Sequence, residues 1–542
     1  MAEAALMALV PDGALMQRAA AGLASVCASI LRARPGGIHG SRVVVLTGTG
    51  DNGGDALYAA ALLARRGAAV TALQAGSRLH PGGAEALRTA GGRIVSVIPH
   101  RAPDETRPDL TARYDAGHDS RHAIGRADLI IDGMLGIGGK GGLREPYATL
   151  AQLAANSGAI TVAVDLPSGI DADTGAVDGP AVRADVTVTF GAAKPGLLID
   201  PGAGHAGVVE LVDIGLEPHL LEPPDACAPQ RGDIWDLVPR PTTESDKYRR
   251  GVLGLLAGSD RFTGAALLAA GGAVRGGAGM VRLVTAPVAA AGVRLEWPEV
   301  VITELPGDTR FRSDQRNESP GAAGSLRFPE DAGRVQAWVA GPGMGLSEAA
   351  GERLAAVLRT SLPVLVDADG LSLLGRNKDL LPRPAPTLLT PHAGELGRLL
   401  DADPAEVAER RLEYTRRAAT EFGACVLLKG STTVIAPPDG LDPVLVNTTG
   451  TPWLATAGTG DVLSGLTGAM LAQGLLPPQA AIVAAYLHGL AARLAAADLA
   501  GGGVIKDADL DADEEGADAR GGAPIGASDV VRALPMAFRS LY

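Results

Sequence analysis

The residues with the clearest chemical potential form a short glycine-rich segment, Ala457–Asp461, that precedes an apolar run. Glycines let the backbone approach a ligand closely, and the free N–H groups at a helix start can bind an anion. A carboxylate there would repel a phosphate, so anion binding alone does not explain Asp461. A base that deprotonates a hydroxyl while the N–H groups stabilise a transferring phosphoryl group does explain it. The alternative is a glycine turn whose aspartate only caps the helix.

A second glycine loop, Thr47–Asp55, lies between the buried strand Arg42–Leu46 and a helix that begins near Ala56. A strand, a glycine loop and a helix form the first turn of a Rossmann-like unit, where pyrophosphate groups bind. The glycine spacing is not GxGxxG, and no acidic residue ends the next strand. Binding of NAD in the manner of an ordinary oxidoreductase is therefore not expected.

Further polar loops follow the later strands of the first half. Asp132 ends one strand and precedes the glycine-rich segment Met134–Gly142, while Ser168 and Lys194 lie in the loops after the next two strands. The carboxyl ends of parallel strands meet at one edge of a sheet, where ligands of α/β proteins bind. Several polar loops at one edge predict a site.

The second half repeats this alternation of strands and helices. Its strands end in the polar loops Gly341–Gly345, Asp367–Gly370, Thr390–Glu395 and Lys429–Thr433. The pattern predicts a doubly wound sheet with a site along its carboxyl edge. No Walker A lysine loop is present, so a P-loop enzyme is the poorer interpretation.

At 542 residues the chain is long enough for two domains. Prolines and acidic residues concentrate before residue 244, which predicts a domain from 1 to 224, a linker from 225 to 243 and a domain from 244 to 542. The segments 308–334 and 506–520 are predicted to be a surface insertion and a solvated acidic loop.

The net charge of -13 argues against nucleic acid as a partner but allows an anionic cofactor in a local site. The three cysteines show no metal or disulfide spacing, which suits a reducing cytoplasm. The N-terminus lacks the basic region of a signal peptide, and no uncharged run is long enough to span a bilayer. We expect a cytoplasmic protein.

The first-half motifs GTGDNGGD, DLIIDGMLGIG, VDLPSGIDADTG and TFGAAKPG resemble the YjeF N-terminal domain, the family of NAD(P)H-hydrate epimerases. The resemblance implies a Rossmann-like three-layer α/β/α domain and a potassium ion held by Asn52, Asp132 and Ser168. It places Asp165 near the reacting ring as the candidate acid or base, with Lys194 as a weaker candidate whose alternative role is a phosphate contact. The implied substrate-binding residues are Asp51, Asn52, Gly53, Gly54, Asp55, Gly136, Ile137, Gly138, Gly139, Lys140, Gly141, Gly142 and Asp165.

Two positions depart from the usual loop of that family, in which asparagine stands at position 51 and glycine at position 56. Asp51 adds a negative charge near a phosphate-bearing ligand, and Ala56 replaces the glycine. The residues that usually precede the helix around Leu15–Gly22 are also mostly missing. A domain that keeps the fold as a scaffold or regulator is the open alternative.

The second-half motifs GSDRFTGAA, GPGMG, DADGL, TPHAGEL, KGSTT and NTTGTPWLATAGTGDVLSG resemble the ADP-dependent NAD(P)H-hydrate dehydratases, a branch of the ribokinase-like superfamily. The resemblance implies a ribokinase-like doubly wound α/β domain that uses ADP with magnesium. The implied nucleotide-binding residues are Lys429, Gly430, Ser431, Thr432, Thr433, Gly458, Thr459 and Gly460. The implied contacts to the hydrated nicotinamide nucleotide are Ala265, Gly345, His392 and Asp461.

Several polar residues near these motifs have two possible roles. His392 is either a ligand contact or a satisfied polar residue, and His488, in an apolar helix, is expected to be structural. Asp367 and Asp369 either orient magnesium or cap a helix.

Together the two resemblances imply a bifunctional enzyme that repairs the hydrates of NADH and NADPH, NADHX and NADPHX. One domain interconverts the R and S epimers, and the other dehydrates the S form with ADP to give AMP and phosphate. A ribokinase-type kinase with a cofactor-sensing first domain, or a non-catalytic binding protein, remains the alternative. We expect a homo-oligomer that binds neither nucleic acid nor membrane.

Overall fold

The computed structural model describes residues 2–97, 120–305, 328–438, 440, 443–499 and 522–542. The chain divides into two compact units, Met1–Pro223 and Pro224–Tyr542. Most of the predicted surface insertion, 308–334, and all of the acidic segment 506–520 lie outside the described residues.

The first unit is a parallel sheet with helices on both faces. Its strands are β1 (Arg42–Thr47), β2 (Ala69–Gln74), β3 (Arg93–Ser96), β4 (Leu129–Gly133), β5 (Ile160–Val164), β6 (Val186–Phe190) and β7 (Val208–Val212). Its helices are α1 (Ala2–Met7), α2 (Ala14–Ala33), α3 (Asp51–Arg65), α4 (Pro81–Thr89), α5 (Tyr147–Ala155) and α6 (Ala203–Ala206), with 3₁₀ turns at Pro195–Leu197 and Glu217–His219. Residues 120–125 are also helical.

The strand order of this sheet is β3-β2-β1-β4-β5-β6-β7, and all neighbouring pairs are parallel. Alternate residues of β1 belong to separate cores: Val43 and Val45 pack with α2 and α3, whereas Val44 and Leu46 pack with α5. This confirms the predicted three-layer α/β/α architecture. The strand order reverses between β1 and β4, and this switch point is where α/β sheets bind ligands.

The second unit contains a larger, mixed sheet. Its strands are β8 (Ala226–Cys227), β9 (Val252–Leu256), β10 (Met280–Thr285), β11 (Val301–Glu304), β12 (Ala337–Ala340), β13 (Val364–Val366), β14 (Thr387–Leu389), β15 (Cys425–Leu428), β16 (Thr433–Ala436) and β17 (Val444–Asn447). Their order is β11-β10-β9-β12-β13-β14-β15-β16-β17-β8, parallel from β11 to β15 and antiparallel at β15-β16 and β16-β17.

The helices of this unit cover the sheet, as expected for a doubly wound domain. They are α7 (Arg231–Leu237), α8 (Thr263–Arg275), α9 (Pro287–Glu296), α10 (Glu348–Leu358), α11 (Asp369–Arg376), α12 (Ala393–Leu400), α13 (Pro404–Glu409), α14 (Arg411–Phe422), α15 (Thr459–Ala472), α16 (Pro477–Leu499) and α17 (Ala527–Ser540). Short 3₁₀ turns occur at Glu330–Ala332, Lys378–Leu380 and Pro452–Leu454.

The segment 225–243 differs from the expected free linker. Its strand β8 pairs with β17, and Ile234 of α7 is buried in the core of the second unit. The prolines that suggested a linker flank these elements and do not interrupt them, so a composition rich in proline and acid did not distinguish an edge strand from a connection.

Within the described parts of the chain, two helices are long and apolar enough to cross a membrane by length and composition, Ala14–Ala33 and Pro477–Ala497. In the second, 89% of the apolar window is buried inside the fold. One face of the first packs against the sheet through Ala20, Leu23 and Leu31. Both helices therefore act as packing elements of their α/β units.

Candidate active sites

The first candidate site lies at the switch point between β1 and β4. Ser168 donates from its backbone N–H to Asp132 Oδ2 at 2.8 Å and from its hydroxyl to Asp132 Oδ1 at 2.7 Å. The Asn52 amide donates to Leu135 O at 3.1 Å and to Val164 O at 2.8 Å. The Leu135 N–H donates to Ser168 Oγ at 2.9 Å. The three predicted potassium ligands are thus brought together by one hydrogen-bonded network.

The burial and charge of Asp132 are those expected of a cation ligand. It is fully buried, and burial raises the pKa of its carboxyl to about 6, although hydrogen bonds from Ser168 and Met134 oppose the shift. No basic side chain among the described residues forms an ion pair with it. A buried carboxylate without a cation is costly, so a hard alkali ion beside Asp132, with oxygens of Asn52 and Ser168, fits the site.

Asp165 follows β5 and has a left-handed backbone, with φ of 67°. Such a conformation is uncommon for a residue with a Cβ and occurs mostly where the surrounding structure imposes it. Its carboxylate accepts hydrogen bonds from Thr189 Oγ1 at 3.1 Å and from the Phe190 N–H at 3.3 Å, and it forms an ion pair with Lys194. The side chain is therefore held rigidly at the carboxyl edge of the sheet.

Lys194 was suggested as a phosphate contact, but in the structure its ammonium group binds Asp165. Its ammonium group donates to the carboxylate of Asp165, to Thr189 Oγ1 at 2.9 Å and to Phe190 O at 3.1 Å. These three bonds use its three donors. Lys194 therefore orients Asp165 and compensates its charge.

A cavity of about 370 Å³ opens beside the N-terminal half of α3. Asp51, Asp55 and Tyr58 line it from α3, at the spacing of one helix face, and His80 and Phe190 line it from neighbouring elements. Sequence reasoning identified Asp51 and Asp55 but missed Tyr58 and His80. The predicted loop Thr47–Asp55 ends earlier than expected, because α3 begins at Asp51 and not near Ala56. A helix that begins there would have indicated Tyr58 by its i, i+4, i+7 spacing from Asp51.

The predicted Gly136–Gly142 loop is mostly exposed at the same edge. A Cβ on Gly136 would lie 3.2 Å from Asn52 Cγ, so this end of the loop approaches the Asn52 network closely. At the other end, Lys140 lies 3.7 Å from Asp171 with its side chain 75% exposed. An exposed pair of this kind contributes little to stability, which leaves the lysine free to contact an anionic ligand.

The second candidate site is built on the N-terminus of α15. Gly458, with φ of 90°, precedes the helix and packs against Leu268 where a Cβ would clash. The Thr459 hydroxyl lies 2.9 Å from Leu454 O and 3.0 Å from Thr456 O, so its one hydrogen is shared between two carbonyls of the loop and fixes it. The N–H groups of Thr459, Gly460 and Asp461 have no acceptor within the helix, so they can bind an anion.

Two glycines position α15 against α8. A Cβ on Gly272 would collide with Val462 O, and a Cβ on Gly465 would collide with Ala269 O. The two helices can approach this closely only without side chains at these positions. Their contact packs α15 over β9 and β12 and places Asp461, at its start, near Asp367, the residue that follows β13.

Asp461 is largely buried, and its surroundings bring the pKa of its carboxyl close to neutral pH. Burial raises the pKa of its carboxyl to about 7, and the carboxylate of Asp367 adds to the shift, while Lys429 opposes it. A general base is most effective when its pKa lies near the working pH. The predicted base therefore has suitable electrostatics.

Lys429 lies between these acidic groups. Its Nζ lies 2.7 Å from Asp367 Oδ1 and 3.8 Å from Glu395 Oε2, and a Cβ on Gly460 would be 3.5 Å from it. Burial lowers the pKa of its ammonium, but the carboxylates of Asp367 and Glu395 outweigh burial, so the net shift is upward. The lysine is a fixed positive charge beside the N–H groups of α15.

Asp367 connects three elements of this site. Its Oδ2 accepts a hydrogen bond from Ser464 Oγ at 2.6 Å, so both oxygens are used by Lys429 and Ser464. Neither bond caps a helix. Asp369 accepts a hydrogen bond from the Gly345 N–H at 2.9 Å, which holds the predicted substrate-contact loop. Ser464 and Glu395 were not singled out from the sequence.

His392 caps the start of α12. Its Nδ1 accepts hydrogen bonds from the Gly394 N–H at 3.0 Å and the Glu395 N–H at 3.3 Å, and Glu395 accepts from the His392 N–H at 2.8 Å. This reciprocal pair is a capping box. With Nδ1 as an acceptor, the neutral ring carries its proton on Nε2, and the side chain is 56% exposed. The ring is both a cap and an available donor.

The remaining predicted residues lie around this centre. Gly430 packs against the Arg411 guanidinium where no side chain would fit, Thr432 is buried, and Thr433 begins β16. Ala265 is in the first turn of α8. His488 is buried, and burial lowers its pKa to about 4, so it stays neutral in the core.

Residues 253–508 match a family model described as NAD(P)H-hydrate dehydratase, and residues 12–196 match one described as YjeF-related protein N-terminus. A bifunctional NAD(P)H-hydrate repair enzyme of Mycobacterium leprae is 45% identical over 499 residues, covering 92% of each chain. A protein of the same name from Moorella thermoacetica is 35% identical over 496 residues, covering 89% of this chain and 88% of that one. The crystal structure of an ADP/ATP-dependent NAD(P)H-hydrate dehydratase from Bacillus subtilis, co-crystallised with ATP and Mg²⁺, is 28% identical and covers 58% of this chain and 97% of that chain, with a TM-score of 0.44.

Proposed function

Because the chain belongs to the family of bifunctional NAD(P)H-hydrate repair enzymes, we propose that its first unit epimerises NADHX and NADPHX and its second unit dehydrates the S epimer with ADP. The hydrated ring carbon is a stereocentre, so a dehydratase specific for one epimer leaves the other unrepaired. An epimerase on the same chain removes that limit. The observation that carries the dehydratase assignment is the buried Asp461 at the free N-terminus of α15.

In the second unit, Asp461 takes the proton of the ring hydroxyl as that oxygen attacks the β-phosphorus of ADP, and AMP leaves. The N–H groups at the start of α15 and the ammonium of Lys429 stabilise the charge on the transferring phosphoryl group. Phosphate is a much better leaving group than hydroxide. The lone pair of the ring nitrogen then expels it, and loss of a proton from the neighbouring ring carbon gives NADH or NADPH.

Magnesium fits the excess negative charge of this site. The carboxylates of Asp367, Asp369 and Glu395 all lie close enough to Asp461 to raise its pKa, and among the described residues Lys429 is the basic side chain that opposes them. The charge of Asp367 is already compensated by the ammonium of Lys429, whereas Asp369 forms no ion pair among the described residues, so Asp369 is the residue that would hold the ion brought with ADP. When bound, magnesium would neutralise part of the negative charge of the phosphate groups. The proposed nucleotide contacts are Lys429–Thr433 and Gly458–Gly460, and the hydrate contacts are Ala265, Gly345, His392 and Asp461.

The first test uses a mixture of both hydrate epimers with ADP and follows the return of reduced-nicotinamide absorbance. Full recovery, faster than spontaneous epimerisation allows, supports both activities. Recovery of the S fraction followed by a slow phase supports the dehydratase and a first unit that acts only as a scaffold. No recovery with either ADP or ATP would favour the ribokinase-type kinase.

In the first unit, we expect Asp165→Asn to slow epimerisation about 10²- to 10⁴-fold, the usual loss for an acid or base. The asparagine keeps the shape but cannot exchange a proton, and Lys194 loses its ionic partner. The measurement is the rate at which pure R hydrate becomes S hydrate without nucleotide, followed by chromatography. Dehydration of pure S hydrate is the control, and an equal loss there would reject the assignment.

The proposed potassium site at Asn52, Asp132 and Ser168 should stabilise the first unit. Binding only to the folded state adds about 2.7 kcal/mol at one hundred times the Kd, so Tm should rise when potassium replaces N-methylglucamine at equal ionic strength. Asp132→Asn should abolish that rise. The exposed Asp173→Asn is the matched control. An identical Tm in both salts, or a potassium response in Asp132→Asn, would contradict the site.

We further propose that the protein works in the cytoplasm as a homo-oligomer. The described cysteines Cys27, Cys227 and Cys425 are all unpaired, which suits a reducing compartment. Light scattering coupled to size-exclusion chromatography tests the oligomeric state.

A further inference from the structure

Asp55 of the first unit has so far been assigned only as a predicted substrate contact. Asp55 lies one turn into α3 and lines the cavity of about 370 Å³. Its Oδ1 is buried and makes no hydrogen bond among the described residues. A buried polar atom without a partner is costly and requires an explanation. Because Asp55 itself lines the cavity, a molecule that enters the cavity lies against this residue and can supply the missing partner.

The charges around Asp55 favour its neutral form. Burial raises the pKa of this carboxyl to about 8, and the carboxylates of Asp165, Asp51 and Glu3 add to the shift. The other titratable groups that line the cavity are Asp12, Tyr58 and His80. Lys194 is committed to Asp165, and no ion pair to Asp55 occurs among the described residues. Asp55 is therefore a carboxylic acid that can donate a proton at neutral pH.

Asp165, in contrast to Asp55, is surrounded by hydrogen-bond donors. Its carboxylate is bound by the Lys194 ammonium, a hydroxyl and a backbone N–H, all donors that stabilise a negative charge. Phe190 connects the two groups, because its N–H donates to Asp165 and its side chain lines the cavity with Asp55. The carboxylate of Asp165 is also close enough to act electrostatically on Asp55, and two carboxyls in different environments within one site are the usual arrangement for acid and base catalysis.

We propose that Asp55 is the general acid of the epimerisation and that Asp165 is its base, an inference that rests on the proposed epimerase function of this unit. Asp55 protonates the hydroxyl on the hydrated ring carbon. The carbon–oxygen bond breaks, water leaves with the bonding electrons, and the ring-nitrogen lone pair forms a carbon–nitrogen double bond.

Water then adds to the other face of this iminium ion. Its oxygen forms the new bond to the ring carbon, the double-bond electrons return to nitrogen, and its extra proton passes to Asp165. Exchange of one proton with solvent returns Asp55 to the acid and Asp165 to the carboxylate. No oxidant, reductant or co-reactant is required.

The test is Asp55→Asn in the full chain, measured as conversion of pure R hydrate to S hydrate without nucleotide, so that the dehydratase is idle. We expect kcat to fall about 10²- to 10⁴-fold with a small change in KM, since the amide still donates a hydrogen bond. In the wild type, kcat/KM should fall as pH rises through about 8, because the acid loses its proton. Asp55→Glu should retain part of the rate and the alkaline limb.

Glu85→Gln, an exposed change on α4 that also removes one negative charge, is the matched control and should behave as the wild type. Circular dichroism and thermal unfolding of each variant report that the first unit is folded, and dehydration of S hydrate reports the same for the second unit. A normal rate for Asp55→Asn, or a higher KM with unchanged kcat, would overturn the proposal and leave the epimerase function intact. Lack of epimerisation by the wild type would instead reject the proposed function. An alkaline limb that persists in the residual activity of Asp55→Asn would also overturn the assignment.

Discussion

Replacing Asp461 by asparagine should reduce ADP-dependent dehydration of S hydrate about 10²- to 10⁴-fold, the range for loss of a general base. The amide cannot accept the hydroxyl proton, and the N–H groups of α15 alone cannot create the nucleophile. The measurement is the return of reduced-nicotinamide absorbance from pure S hydrate with ADP. In the wild type the rate should rise with pH through about 7, because Asp461 acts only after it loses its proton.

Two further readouts separate a lost base from a damaged site. Affinity for ADP should be kept or improved in Asp461→Asn, since the substitution removes a negative charge beside the phosphates. Conversion of R to S hydrate in the first unit should not change, because Asp461 belongs to the other compact unit. Loss of nucleotide binding, or loss of epimerisation, would show that the substitution acts through misfolding and would contradict the assignment of Asp461 as the base.

The main features of both folds could be predicted from the sequence because they depend on local patterns. Buried strands followed by glycine loops predicted sheets that carry polar residues at their carboxyl edges, and β1, β4 and β13 end as expected. The loop before α15 is another such case, because the glycines that permit a positive φ and the acidic residue of the first turn are visible in the sequence. The model confirms the α/β architecture of both units.

The pairing of charges could not be predicted in the same way, since it joins residues far apart in the chain. Lys429 and Asp367 are separated by 62 positions, and Ser464 and Asp367 by 97. Lys194 suggested a phosphate contact from its loop, and only the tertiary fold places it against Asp165. The place of a lysine ammonium group depends on which carboxylates lie near it in the fold. Hydrophobic periodicity carries no information on these neighbours.

The Lys429–Asp367 pair gives the second large effect. Lys429→Met should lower the free energy of unfolding of the second unit by about 3–5 kcal/mol, because removing one partner leaves a buried charge unpaired. Asp367 is only 1% exposed, so water cannot replace the ammonium. Dehydration should also fall about 10²- to 10³-fold, as expected when a charge that stabilises the transferring phosphoryl group is lost. Chemical denaturation and the absorbance assay measure the two effects.

A double variant separates the structural effect from the chemical one. Lys429→Met combined with Asp367→Asn removes both charges, so most of the lost stability should return, as it does when a buried ion pair is replaced by neutral groups. Activity should not return, because the phosphoryl group still lacks its cation. If the double variant regained activity together with stability, Lys429 would serve only to neutralise Asp367. If stability stayed low, the Asp367 bond to Ser464 would be the dominant interaction, because the neutral asparagine accepts a weaker hydrogen bond from that hydroxyl than the carboxylate does.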